Sequence, residues 1–394
     1  MVSHSPGSST EMTSERGIDV VSLVVCSLES WSTVRRRIRI LVDELVDRDE
    51  ELHVLFVGPA VDIPHRLRHG EAPFSPEPRL SQVHPRIHVL RPRKWLPRVV
   101  GGFADRSLER QVLDAVSHLG LRQPLLWINN SDYAGLSLRT GWPTLYDITD
   151  DWQRSPRTPR QLSRLVTNED LLLARADSVV VCSPDLARTR GRTRPVELIP
   201  NGVDVALFRS PRTRPTALPT GPVVLYAGSL HTDRLDVPLV EELAAARPDV
   251  HVVLVGPNSL PAAITQELER IPNLTLLGAC PYEQVPAFMQ HADVIVIPHL
   301  VNPFTESLDP IKAYECLAVA RPTVATPVAG FRSLGSPVVV ADRADFVRAV
   351  DAALATAPLP GRTGSLGDVP LPTWRDRADT LATVMTQIRA RAVR

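Results

Sequence analysis

The chain has 394 residues, 43% of them hydrophobic, and its 44 Lys plus Arg balance 44 Asp plus Glu. That length suits two to three domains with real cores, and a net charge of zero gives no global attraction to nucleic acid. The four cysteines, Cys26, Cys182, Cys280 and Cys316, are scattered without a CxxC, which argues against a disulfide framework or zinc site and for reduced thiols in a cytoplasmic protein.

Residues 1–17 are polar and read as a disordered tail rather than a signal peptide. No apolar run approaches the roughly 20 residues that span a bilayer. Asp19 to Leu28 is apolar on both faces, as in a buried parallel strand. A helical pattern from Trp31 to about Val46 carries Arg35, Arg36, Arg37 and Arg39. Strands follow at Leu52–Val57, Ile87–Leu90, Leu125–Ile128, Leu145–Ile148, Ser178–Cys182 and Val196–Ile199, with helices near 104–119 and 171–174. Residues 206–221 are Pro-, Thr- and Arg-rich and read as a linker between a domain at 18–205 and another at 222–372.

The second half repeats the plan. Strands at Val223–Ala227, Val252–Val255, Leu274–Leu277, Val294–Ile297, Thr323–Thr326 and Val338–Val340 alternate with helices. Three of these strands end in glycine, at Gly228, Gly256 and Gly278, so backbone can approach a ligand there. A Pro/Gly-rich break, Ala357 to Pro372, precedes a last helix within 373–394 that folds back onto the first domain. The fold class is therefore α/β: two Rossmann-like parallel-sheet domains facing across a cleft. No GxGxxG follows the first strand of either domain, which argues against a nicotinamide dehydrogenase.

The most informative stretch is 302–327, NPFTESLDPIKAYECLAVARPTVATP. Pro310 stands ahead of a helix from Ile311 to about Ala320, and such a start offers free amides and the positive end of the helix dipole to a phosphate. Lys312 lies in its first turn, and Glu315 lies three residues on, on the same face. A cation and a carboxylate so placed can hold a diphosphate and a sugar diol. Of all the basic residues only Lys94 and Lys312 are lysine, so Lys312 suits a site that needs a compact ammonium.

These residues resemble the GT-B glycosyltransferases, and within them the retaining family 4 (glycosyltransferase group 1), over nearly the whole chain from about residue 19. Ile199-Pro200-Asn201-Gly202-Val203-Asp204 resembles the family's interdomain segment, and Leu225-Tyr226-Ala227-Gly228-Ser229 its first donor-domain strand. The loop Ser307-Leu308-Asp309-Pro310-Ile311-Lys312-Ala313-Tyr314-Glu315 is similar to a sub-branch reading S-x-x-P-x-K-x-Y-E. The resemblance implies that Glu315 contacts the nucleotide ribose, that Arg234 stands where the family has a diphosphate-binding Lys, and that Ser229, Ser307, Leu308 and Asp309 line the donor site. The chain departs from the pattern where Ser307 holds the first motif glutamate's position, with Glu306 one residue off, and where Ser229 and Ala320 replace the usual Arg and Gly. The first strand–helix turn, Ser27 to Ser30, also lacks the paired glycines of many members.

What this implies is a metal-independent, hexosyltransferase-type enzyme moving a sugar from a nucleotide diphosphate-sugar to a carbohydrate or lipid-linked acceptor, with retention, in cell-envelope polysaccharide or glycolipid synthesis. Asp147 and Asp150, at a strand's C-terminal end, are candidates for orienting acceptor or donor, against the plain reading of an Asx turn or cap. Glu306 is a candidate sugar contact. The run Arg86, Arg91, Arg93, Lys94, Trp95, Arg98 is either an Arg-rich surface loop or a peripheral contact with the inner face of an anionic membrane. No cofactor, metal or nucleic acid is expected. The rival readings are a binding or partner subunit that has lost chemistry, and another GT-B enzyme such as a sugar-nucleotide epimerase or an inverting transferase.

Overall fold

A computed structural model describes residues 22–74, 77–95, 102–358 and 370–392. The expected tail, Arg98 and most of the Pro/Gly-rich break lie outside them. The first apolar run forms β1 (Ser22–Cys26), buried throughout. In chain order come α1 (Arg37–Arg48), β2 (His53–Val57), β3 (Val61–Asp62), α2 (Ile63–Arg68), β4 (Leu80–His84), β5 (Ile87–Leu90), β6 (Arg93–Lys94) and α3 (Gly102–His118). Then follow β7 (Leu125–Ile128), α4 (Ala134–Thr140), β8 (Thr144–Ile148), α5 (Pro159–Arg175), β9 (Ser178–Val181), α6 (Pro184–Arg190) and β10 (Glu197–Leu198). The sheet order is β10-β9-β8-β7-β1-β2-β5-β4, parallel except for the antiparallel edge strand β4.

The helix expected from Trp31 begins only at Arg37. Trp31 instead packs edge-on against Phe56, with ring centroids 5.0 Å apart. Arg36 at the N-cap gives no side-chain cap. Glu29 does this from nine residues away, its carboxylate accepting the amides of Ile38 at 3.3 Å and Arg39 at 3.4 Å. Residues 28–36 are thereby left as a loop over the end of β1.

The expected linker is also partly ordered. It opens with α7 (Val205–Arg209), capped by Asp204, whose carboxylate accepts the Leu207 amide at 2.9 Å. Phe208 is fully buried, and Gln290 donates to its carbonyl at 2.9 Å. The second domain continues with β11 (Val223–Ala227), α8 (Val237–Ala246), β12 (His251–Val255), α9 (Ala262–Glu269), β13 (Leu274–Gly278), α10 (Val285–Gln290) and β14 (Val294–Ile297). It ends with α11 (Ile311–Val319), β15 (Thr323–Ala325), β16 (Val338–Val340) and α12 (Phe346–Thr356). Its sheet, β13-β12-β11-β14-β15-β16, is wholly parallel.

The last helix, α13 (Trp374–Ala392), buries Trp374, Ala378, Leu381, Val384 and Ile388 at helical spacing. It packs on α1, where Arg48 pairs with Asp379, and Arg389 donates to the carbonyl of Ser22 in β1 at 2.7 Å. In both sheets the strand order reverses beside the first strand, at β1/β7 and at β11/β14. Ligands in open α/β sheets bind outside the strand C-termini at such points, and here the two lie across one cleft.

Candidate active site

A cavity of about 500 Å³ occupies that cleft, with walls from both domains. Its floor is the end of β11 and β12. Gly256 has φ +146°, and a Cβ there would stand 2.0 Å from the Gly228 carbonyl oxygen. A side chain is therefore excluded where the two strands end, and backbone forms the wall. Gly278 does not share this role; it is the last residue of β13, at φ +73°, and lies outside the cavity lining.

The stretch 302–327 forms the adjacent wall, contributing Leu308, Asp309, Pro310, Ile311, Lys312 and Glu315. α11 starts at Ile311 with Pro310 extended before it, so its first amides face the cavity end. Lys312 Nζ donates to Glu315 Oε2 at 2.5 Å, and Glu315 is only 1% exposed. Asp309 is fixed on three sides: its carboxylate accepts the Asn201 amide at 2.5 Å and the Tyr314 hydroxyl at 2.8 Å, and its carbonyl accepts from Asn201 Nδ2. Asn201 also accepts from Arg37 at 3.1 Å, and its carbonyl accepts from Arg377 of α13 at 3.2 Å. One interdomain residue thus ties both domains and the closing helix to the start of α11.

Ser229 and Arg234 also line the cavity. Arg234 Nε sits 3.1 Å from Asp233 Oδ1. Its backbone carbonyl accepts from Leu300, and Asn302 donates to the Asp233 carbonyl at 3.2 Å, joining this loop to the stretch 302–327. His299, beneath it, is buried and bonded to the Tyr226 hydroxyl at 3.2 Å. Burial, and then Arg234, pull its pKa down to about 3, so it is a neutral ring at physiological pH.

The first domain supplies Glu29, Arg36, Thr149, Asp150 and Trp152. Asp150 accepts from Thr149 Oγ1 at 3.0 Å; burial raises its pKa and Arg234 across the cleft opposes that. Burial pushes Glu29 up to about 7, against the two helix amides and Arg36, while Asp150 adds to the rise. Sequence reasoning missed Glu29 and placed Arg36 on a helix. The available signal was a carboxylate and a cation in the strand–helix turn at the sheet's switch point. Cys280, from the second domain, is the half-buried thiol of the cavity lining, whereas Cys26, Cys182 and Cys316 are buried.

Three candidates are not brought to the cavity. Asp147 is fully buried beneath it, accepting from Trp127 Nε1 at 3.2 Å with Arg37 at 3.7 Å. Ser307 is fully buried at the domain contact: its hydroxyl donates to Phe304 at 2.6 Å, and its carbonyl accepts from Ser183 at 2.6 Å. Glu306 pairs with Arg332 and does not line the cavity. A helical turn over Thr305–Ser307 causes both outcomes, rotating Ser307 inward and Glu306 outward. Asp151, beside Asp150, is held by Arg190 at 2.8 Å and Arg154 at 3.0 Å, and is structural. Among the described residues no three His, Cys, Asp or Glu side chains gather as a metal site.

Comparison with known proteins agrees with this geometry. Residues 221–356, the second domain, match the family model for glycosyl transferases group 1. TuaH of Bacillus subtilis (strain 168), named as a teichuronic acid biosynthesis glycosyltransferase, is 28% identical over 349 residues, covering 81% of this chain and 84% of its own. Among solved structures, sucrose-phosphate synthase from Thermosynechococcus elongatus superposes with a TM-score of 0.70 at 19% identity, covering 94% of this chain and 99% of that one. Anabaena HepE in complex with UDP-glucose gives 0.61 at 15% identity, covering 94% and 99%. At those identities the structures carry the fold alone. Fold, cavity and relatives agree that this chain is a glycosyltransferase with the GT-B fold.

Proposed function

We propose that the second domain holds a nucleotide diphosphate-sugar and the first domain presents an acceptor hydroxyl. Transfer would proceed with retention, without metal, on the cytoplasmic side during synthesis of a cell-envelope polysaccharide or glycolipid. The observation that carries the reading is the wall where Gly228 and Gly256 meet beside Arg234, Lys312 and the start of α11. Backbone, two cations and helix amides converge there, as a diphosphate requires. Glu315 takes the ribose hydroxyls. Glu29 and Asp150 orient the acceptor from the opposite wall. Asp147, Ser307 and Glu306 have no part in it.

In the front-face route the donor C1–O bond breaks and its electron pair stays on the phosphate oxygen. The acceptor oxygen bonds to C1 from the same side, and its proton passes to the leaving phosphate. The relative's name places it in teichuronic acid biosynthesis, which supports a cell-envelope acceptor. A lipid-linked acceptor and peripheral membrane contact are favoured by exposed aromatics on the first domain. Phe74 and Trp95 are 46% and 53% exposed, their rings lie 5.9 Å apart, and Arg93 stands 4.8 Å over Phe74.

The test is calorimetric titration of UDP, GDP, ADP and dTDP into wild type and Lys312→Ala. One nucleotide should bind, and the variant should lose about 1.5–3 kcal/mol, the range for hydrogen bonds to charged groups. No binding of any at millimolar concentration removes the donor reading. Nucleotide binding without nucleotide release from any donor would leave a non-catalytic partner. NMR of the product showing inversion would overturn retention.

A further inference from the structure

We propose that Arg36 is a ligand for the donor diphosphate contributed by the first domain. This rests on the donor reading above. Arg36 is exposed at the cavity wall, and its Nη2 lies 3.2 Å from Ser229 Oγ, beside Gly228 on the opposite domain. The other cations on this wall already have carboxylates: Arg234 has Asp233 at 3.1 Å, Lys312 has Glu315 at 2.5 Å, Arg35 has Glu283 at 3.2 Å and Arg37 has Asp147 at 3.7 Å. Among the described residues the hydrogen-bond partner of Arg36 is a neutral hydroxyl, and Glu29 and Asp150 feel its charge without forming an ion pair with it. A diphosphate oxygen is a stronger, charge-assisted partner for a guanidinium than a serine is.

The local backbone explains why a side chain is needed. The turn Ser27-Leu28-Glu29-Ser30 has no glycine to let main chain close on a phosphate. The first free amides of α1, at Ile38 and Arg39, are taken by Glu29. Among the described residues, two of the amides at the start of α1 are thus taken by Glu29 rather than left for an anion in the cleft. Positive charge from that side reaches the β11 end through Arg36, which takes part of the charge left on the diphosphate as the C1–O bond breaks. The donor thereby bridges both domains.

The experiment compares each nucleoside diphosphate of the panel, and its monophosphate, on wild type, Arg36→Ala and Arg36→Lys by calorimetry. The diphosphate should weaken about 10- to 100-fold in Arg36→Ala, the monophosphate less than about threefold, and Arg36→Lys should recover part of the loss. Unchanged diphosphate affinity in Arg36→Ala overturns the proposal while leaving the donor reading intact. Equal losses for mono- and diphosphate also overturn it, since they make Arg36 a domain tether. Failure of wild type to bind any nucleotide removes both readings.

Discussion

Glu29 holds a helix and faces a cavity at once. Its pKa rises from an ordinary carboxylate value of 4.5 to about 7, chiefly through burial. The folded state therefore binds this proton more tightly than the unfolded chain. The stability this provides is full below about pH 4.5 and is lost as pH rises through about 7. Glu29→Gln keeps a carbonyl acceptor for one helix amide without the charge. Relative to wild type it should gain on the order of 1–3 kcal/mol between pH 5 and pH 8, read as a growing Tm difference; a flat or falling difference would show the carboxylate to be solvated. Glu29 was hidden in sequence because its partners lie nine and ten residues on. Lys312 and Glu315 were legible because both sit in one helical turn behind Pro310. Asp147 was not, because β8 is buried on both faces and no alternation tells which side meets the ligand. Ser307 and Glu306 depended on a single turn, Thr305–Ser307, that their residue types do not announce.

Most strands could be read from continuous apolar runs bounded by Gly or Pro; β7, β11, β14 and β16 have the expected limits. What escaped was decided by tertiary contact. β4, with only partly buried or exposed residues, pairs antiparallel at an edge, where burial leaves no pattern. α7 exists because Phe208 finds a place against the second domain. The element behind the second domain's cavity wall carries a local conflict. α11 ends at Ala320 with φ 55° and ψ 34°, a left-handed conformation that glycine adopts without steric cost. The next residue, Arg321, is fully buried and its guanidinium reaches the carbonyls of Pro358 at 2.9 Å and Asp293 at 3.2 Å, which holds the end in place. Ala320→Gly should therefore stabilise the chain by about 0.5–1 kcal/mol, measured by denaturant midpoint with m unchanged. A loss of stability would mean that the alanine methyl's packing outweighs the relief.

For the molecule as a whole, the exposed aromatic patch belongs to the domain that forms one of the two walls of the cleft. If the acceptor is lipid-linked, that domain must meet the bilayer. Wild type should co-sediment with phosphatidylglycerol vesicles better than with phosphatidylcholine vesicles, and the difference should shrink in high salt. The double variant Phe74→Ala, Trp95→Ala should lower vesicle binding about tenfold and leave calorimetric nucleotide binding unchanged. Equal sedimentation of both proteins would assign the patch to something other than lipid. Among the described residues no helix is long and apolar enough to cross a membrane.

The return of α13 to α1 also sets an order of events during synthesis. Arg389 meets the backbone of Ser22, 367 positions earlier in the chain, and Leu381 and Ile388 are buried in the same core cluster as Ile38 and Leu45. Translation delivers the first sheet long before it delivers this helix. The second domain can close its own core while the first still exposes one side of α1. The domain begun first is thus finished last, and the nascent chain carries a greasy, unfinished face until residues 374–392 have left the ribosome.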